Sequence, residues 1–242
     1  MRIDIMTLFP ALCEAYVSES IIGRAVQNGK IEIYCHNIRD YTKDKHNRVD
    51  DAPYGGGNGM ILSAQPIDDC FKAVCEMVGE RPYFIYMSPQ GKTLTQPLAV
   101  SLKQHENIAI LCGHYEGVDQ RVLDKWCDME ISIGDYVLTG GELPALVLTD
   151  VLSRMVDGVL PNEDCYKDES HYDGLLEYPQ FTRPAVWDGR EVPEILLSGH
   201  HLNIEKWKQQ QRLSITKQKR PDLFYAKQKD SENIDFIDNI GK

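Results

Sequence analysis

No apolar run in this 242-residue chain approaches the ~20 residues needed to span a bilayer. The amino terminus has no apolar core of a secretory leader either: Asp4 interrupts it and Pro10 ends it. Both features lead us to expect a cytoplasmic protein without a membrane partner. No C-x-x-C pair occurs. The seven cysteines (Cys13, Cys35, Cys70, Cys75, Cys112, Cys127 and Cys165) are odd in number and scattered. That argues against a disulfide framework and a structural zinc site, and fits a reducing compartment in which most of them are small core residues. An excess of positive charge is missing too. A net charge of −11 argues against a surface coated all round in nucleic acid, though binding depends on the local field and a basic patch remains open. Repeats and low-complexity tracts are absent.

What is present is an alternation. Ile3 to Leu8 reads as a strand, Ala11 to Gln27 as a helix stopped by Asn28-Gly29, and Ile31 to His36 as a second strand. After a polar loop from Asn37 to Gly59, Pro66 opens a helix through Val78, and Tyr83 to Met87 is a buried strand. A helix from Thr95 to about Lys103 follows, then a strand from Ile108 to Cys112 and a helix from Val118 to Trp126. The series closes with a strand from Met129 to Ile133 and a helix from Leu143 to Met155. Strands alternating with helices of this length predict an α/β domain, its parallel sheet covered on both faces, over residues 1–157. Residues 158–178 are polar and without period, as expected of an interdomain linker or functional loop. Residues 179–242 read as a small helical domain, helical from Pro193 and from Ile204 to about Gln218, with an acidic end from Asp230 expected to fray.

Three consecutive strands run into special turns: Ser88-Pro-Gln-Gly91, Gly113-His-Tyr-Glu-Gly117, and Gly134-Asp-Tyr-Val-Leu-Thr-Gly-Gly-Glu142. In an α/β sheet, ligands sit beyond the carboxyl ends of the strands, and glycine lets backbone approach them closely. One glycine there is usually just a tight turn; three glycine-bearing strand ends in succession point to a nucleotide-like ligand held largely by backbone. The familiar phosphate cradles are lacking: neither G-x-x-x-x-G-K-[ST] nor G-x-G-x-x-G with a later acid occurs. Tyr54-Gly-Gly-Gly-Asn-Gly-Met60 has no lysine and follows a loop rather than a strand.

Seven segments stand in order: Asp51-x-Pro53-Tyr-Gly-Gly-Gly-x-Gly-Met60, Ser88 to Gly91, Cys112-Gly-His-Tyr-Glu-Gly117, Glu130 to Pro144, Asp173 to Pro184, Leu197-Ser-Gly-His200 and Lys219-Arg-Pro-Asp-Leu223. Together they resemble the bacterial tRNA (guanine-N1)-methyltransferases, to about residue 225. The resemblance implies the SPOUT class, whose parallel sheet carries a C-terminal trefoil knot, and which uses S-adenosylmethionine as a homodimer with a shared active site. It implies methylation of tRNA at the guanine just 3′ of the anticodon. On matching positions it implies cofactor contacts at Tyr86, Ser88, Pro89, Gly113, Tyr115, Glu116, Gly117, Ile133, Gly134, Asp135, Tyr136, Val137, Leu138, Gly140, Gly141 and Pro144. Glu116 suits a positively charged sulfonium.

Guanine N1 is nucleophilic only once its proton leaves. The chemistry therefore calls for a carboxylate as general base and a cation where charge gathers on O6. The resemblance puts the arginine at Arg154 and the base at Glu169, where relatives carry Asp; the neighbouring Asp168 is the alternative. Residues 205–220 hold Lys206, Lys208, Arg212, Lys217, Lys219 and Arg220 against Glu205 alone, a face suited to an RNA backbone. Lys43, Lys45, His46 and Arg48 form a second basic candidate, and no residue pattern calls for a metal. The alternatives are a related knotted methyltransferase acting on another RNA base, or a non-catalytic RNA-binding relative.

Overall fold

The computed structural model describes residues 1–162 and 164–229; the acidic end from Asp230 lies outside them. The chain divides into two compact units, Met1–Glu163 and Asp164–Lys242. The stretch 158–178, read from the sequence as a linker, is thus shared out: its first residues belong to the first unit and those from Asp164 onward to the second.

The first unit runs β1 (Arg2–Thr7), α1 (Pro10–Val17), α2 (Ser20–Gln27), β2 (Glu32–Asn37), a 3-10 turn (Ile38–Tyr41), β3 (Asp50–Asp51) and β4 (Ile61–Leu62). It continues α3 (Ala64–Val78), β5 (Tyr83–Thr93), α4 (Gln96–Leu102), β6 (Asn107–Cys112), α5 (Gln120–Trp126), β7 (Met129–Ser132) and α6 (Glu142–Ser153). Five strands form one sheet in the order β2-β1-β6-β5-β7, every neighbouring pair parallel. This is the expected α/β fold with a parallel central sheet.

The near-continuous burial of β1 and β6 follows from helices on both faces. Met6, Ala109, Leu111 and Phe84 pack toward Phe71 of α3 and Val122 and Leu123 of α5. Phe71 and Phe84 meet edge to face at 4.7 Å, and burying such a ring contributes roughly 2–3 kcal/mol. The alternate residues Ile3, Ile5, Ile85, Ile108 and Ile110 are equally buried. Asp4 sits inside this apolar strand because it is fully paired: Arg2 reaches its two oxygens at 2.8 and 2.9 Å and His36 Nε2 lies 2.7 Å away.

Two of the long elements of the first unit depart from the sequence reading. The single helix expected over Ala11–Gln27 is two helices, broken at Ser18–Glu19, with Ser20 at φ 54°. The break lets Gly23 sit on the Ser18 carbonyl so closely that a Cβ would lie 2.1 Å from its oxygen. The strand expected to end at Met87 runs on to Thr93, straight through the expected Ser88–Gly91 turn. It pairs with β7 as far as Met87↔Ile131, bulges, and pairs again at Lys92↔Ile131 and Thr93↔Ser132. Gly91 makes this possible, since a Cβ there would lie 2.4 Å from the Glu130 backbone.

The second unit holds α7 (Asp164–Lys167), the hairpin β8 (Val186–Trp187) and β9 (Arg190–Glu191), α8 (Glu194–Leu197) and α9 (His201–Lys219), and residues 221–229 are helical. The hairpin turns at Asp188-Gly189 with both residues at positive φ, as a two-residue loop requires. Among the described residues, no helix is long and apolar enough to cross a membrane.

Candidate functional site

The bulge of β5 and the carboxyl ends of β6 and β7 surround a cavity of about 150 Å³. Tyr86, Ser88 and Pro89 wall it from the bulge of β5; Gly113, Tyr115, Glu116 and Gly117 from the turn after β6. Ile133, Gly134, Tyr136, Val137, Leu138, Gly140, Gly141 and Pro144 enclose it from the long loop that leads into α6. Of the expected cofactor residues, Asp135 alone does not line it. Met87, His114, Ile131, Ser132 and Thr139 do line it and went unnoticed in the sequence. They lie between residues already singled out, so the continuity of the three segments was the signal for them.

The loops are tied to one another. The Gly141 N–H donates to the Gly113 carbonyl at 2.8 Å, and His114 and Gly140 form an antiparallel bridge. The Ser132 hydroxyl donates to the Gly134 carbonyl at 3.0 Å while accepting from the Gly134 N–H at 3.1 Å, which fixes the exit from β7. Glycine is required where the backbones meet. A Cβ on Gly141 would lie 2.7 Å from Cys112 Cα, and one on Gly113 2.8 Å from the Tyr86 hydroxyl. Burial, with Glu130 and Cys127 adding to it, pushes the Tyr86 phenol up to about 12, so it stays a hydrogen-bond donor at neutral pH.

Two further features flank the cavity. Glu142, buried in the first turn of α6, accepts from Thr7 Oγ1 at 2.7 Å. The Tyr54–Met60 loop is joined to the β6 turn: the Glu116 N–H donates to the Met60 carbonyl at 3.0 Å, and Gly59 packs on the Glu116 side chain. Tyr54, at the start of that loop, is fully exposed.

Arg154 does not line this cavity. Arg154, at the C-terminal end of α6, is half-buried in a separate cavity of about 470 Å³ beside Tyr16, Ser20 and Asp150. Asp168 and Glu169 belong to the second unit, the first exposed and the second half-buried.

The basic set on α9 is not uniform. Lys206 and Lys219 are exposed. Lys208 is bonded to Glu205 at 2.7 Å and lies over the Tyr178 ring; Lys217 lies over Phe224; Arg220 grips Asp222 with two bonds of 2.9 and 2.6 Å. Arg212 leaves the surface set altogether: it is 6% exposed and turned inward onto Asp173 at 2.5 Å. In the second basic candidate, Lys43 is paired with Asp69 and Arg48 with Asp44, and Lys45 and His46 are left exposed. Of the seven cysteines, Cys13, Cys70 and Cys112 are buried and the other four half-buried.

A parallel sheet whose strand-end loops meet glycine to backbone around a cavity defines the class, an α/β protein with a loop-walled pocket beyond its strands. Comparison with known proteins narrows the class. Residues 1–226 match the family described as tRNA (Guanine-1)-methyltransferase TrmD, and the chain belongs to that family. It is 58% identical over 224 residues to a tRNA (guanine-N(1)-)-methyltransferase of Ruminiclostridium cellulolyticum, covering 93% of this chain and 96% of the relative. It is 52% identical over 234 residues to the protein of that name from Lachnospira eligens, covering 96% and 99%. Among solved structures it resembles the crystal structure of tRNA (m1G37) methyltransferase from Aquifex aeolicus, with a TM-score of 0.76 and 41% identity over 93% of this chain and 95% of that one.

Proposed function

We propose that this protein, a tRNA (guanine-N1)-methyltransferase by family, transfers a methyl group from S-adenosylmethionine to N1 of the guanine immediately 3′ of the anticodon. The observation that carries the reading is the strand-end cavity, whose walls include the glycine-rich segments that carry the sequence resemblance. Its lining suits an adenosyl group. Ile133, Leu138 and Pro144 offer apolar surface for a base, the glycines leave backbone N–H and C=O within reach, and Tyr86 contributes a protonated hydroxyl. Glu116, on the wall, offers a carboxylate to a cationic ligand. When bound, S-adenosylmethionine supplies an electrophilic methyl group on a sulfonium, which needs no further activation.

The protein's own work is then positioning and proton removal. Glu169 accepts the guanine N1 proton, freeing the lone pair, and the Arg154 guanidinium stabilises the charge that moves to O6. Asp168 is the alternative acceptor. Arg154 lines a different cavity from the cofactor residues of its own chain, which favours a homodimer in which each active site is completed by the other subunit. The double pairing of β5 with β7 around a bulge, with the long β7–α6 loop beside it, favours the trefoil knot of the SPOUT class. Lys206, Lys208, Lys217, Lys219 and Arg220 hold the tRNA backbone, and the enzyme works in the cytoplasm, where its substrate is.

The test is methylation of unmodified tRNA transcripts carrying guanine or adenine 3′ of the anticodon. Label is expected in the guanine transcript only, as N1-methylguanine. Equal labelling of both, or of neither, refutes the reading. Arg154→Ala and Glu169→Ala should each slow single-turnover transfer by at least ~100-fold while S-adenosylhomocysteine still binds. If Asp168→Ala is slow and Glu169→Ala is not, the base moves by one residue.

A further inference from the structure

The segment that carries Glu169 has little regular structure after α7, yet it is firmly folded. The Glu177 N–H donates to Ser170 Oγ at 2.9 Å, and the His171 N–H to the Leu175 carbonyl at 2.8 Å, closing residues 170–177 into a small loop. His171 and Gly174, both at positive φ, make its reversals, and the Leu175 side chain is buried.

This loop is fastened to α9 at two points. Thr216 Oγ1 donates to the Arg212 carbonyl one turn back at 2.7 Å and accepts from the Leu176 N–H at 2.8 Å. Arg212 Nη2 donates to Asp173 Oδ1 at 2.5 Å, and the same oxygen accepts from the Leu175 N–H at 3.2 Å. Lys227 adds a bond of 2.6 Å to the Asp173 carbonyl. Arg212 is 6% exposed, and its Nε has no partner among the described residues. A guanidinium so buried has little reach for a phosphate. Taking it out of water is costly, and the ion pair offsets that cost only by fixing one geometry. What that geometry fixes is the distance between helix and loop.

We propose that Arg212, acting through Asp173, is a positioning residue for methyl transfer. It holds the loop whose first residue, Ser170, adjoins Glu169, and so sets where the Glu169 carboxylate meets the guanine N1–H. The inference rests on Glu169 being the proton acceptor. A glutamate side chain turns about three rotatable bonds, so a rigid backbone beneath it matters. An error of ~1 Å in placing a base can cost on the order of 100-fold in rate.

The experiment uses the full-length enzyme and unmodified tRNA transcript. Arg212→Met keeps the buried stem and removes the charge; Asp173→Asn removes the partner's charge. Each is expected to lower the single-turnover rate by about 10- to 100-fold. The KM for tRNA, its salt dependence and S-adenosylhomocysteine binding are expected to stay unchanged. The double variant should be no slower than the slower single variant, and Arg212→Lys should recover most of the rate. A raised KM with a flatter salt dependence and an intact rate would make Arg212 a phosphate contact and overturn the proposal. So would fully additive losses, or a lowered melting temperature at normal rate. If Arg212→Met fails to fold, Arg212→Lys and Asp173→Asn decide between the same outcomes. Glu169→Ala, run in parallel, separates the two readings: a normal rate there removes the base assignment. A lost rate there with normal rates for Arg212→Met and Asp173→Asn removes the clamp alone.

Discussion

Replacing Gly141 by alanine tests whether the cavity is set by backbone contact. Gly141 has ordinary helical angles, φ −82° and ψ −4°, so alanine meets no backbone strain there. The whole penalty is steric. The added Cβ would lie 2.7 Å from both Cys112 Cα and Gly113 N, whereas ordinary contact begins at 3.4 Å. The end of β6 and the start of α6 must therefore part by about 0.7 Å, and neither is a side chain that can swing away. Overpacking of that size costs ~1–3 kcal/mol. For a protein of this length that is a drop of about 2–12 °C in melting temperature. The same movement stretches the 2.8 Å bond from the Gly141 N–H to the Gly113 carbonyl and widens the cavity at its floor. Calorimetric titration with S-adenosylhomocysteine should show affinity reduced by at least ~10-fold, equivalent to about 1.4 kcal/mol. Gly140→Ala is the comparator: its Cβ would meet the Glu142 carboxylate tip at 2.4 Å, a side-chain end, and should cost less. A Gly141→Ala protein that melts within 1 °C of the parent and binds within about twofold would refute the argument.

Gly91→Ala should destabilise by a similar ~1–3 kcal/mol, because its Cβ would strike the Glu130 backbone and break the second pairing of β5 with β7. An unchanged urea midpoint would count against it. Burial works to raise the Asp68 carboxyl, but bonds from Lys125, Lys72 and Trp126 outweigh it and hold the group at about 2. A depressed carboxyl contributes in full above its ordinary value of 3.8 and is lost as pH falls toward 2. The stability of Asp68→Asn should accordingly fall less than the parent's between pH 5 and pH 2, and parallel acid curves would refute this. Reversing the charge of Lys206, Lys217 and Lys219 together should weaken tRNA binding and flatten its salt dependence, by up to ~0.9 for each phosphate no longer neutralised. An unaltered slope would clear that face of the role.

The sheet was legible because two-sided burial writes apolar runs such as Ile108–Cys112 into the sequence. The cavity was legible because its glycines cluster at strand ends. What escaped has tertiary causes. The break at Ser18–Glu19 carries no proline or glycine; its mark is Gly23, which must lack a side chain because it packs on the Ser18 carbonyl. Ser88-Pro-Gln-Gly91 has the composition of a turn, and only the close approach of Glu130 makes it a bulged strand. Arg212 was counted with its basic neighbours because helix charge does not reveal direction; its partner Asp173 lies in a loop whose path no periodicity describes.

The pairing of β1 has a consequence for synthesis. β1 is synthesised well before β6, from Asn107, yet it is flanked by β2 on one side and by β6 on the other. Until that later strand emerges, the nascent chain carries an apolar strand with one hydrogen-bonding edge unpaired. β5 must likewise wait for β7 before it can close its bulge. The sheet is therefore completed late, first at β6 and then at β7, which favours slow folding and prolonged exposure to aggregation or chaperones. Cys112, the last residue of β6, is also the one against which Gly141 must seat, so the strand-end cavity cannot close until the centre of the sheet exists.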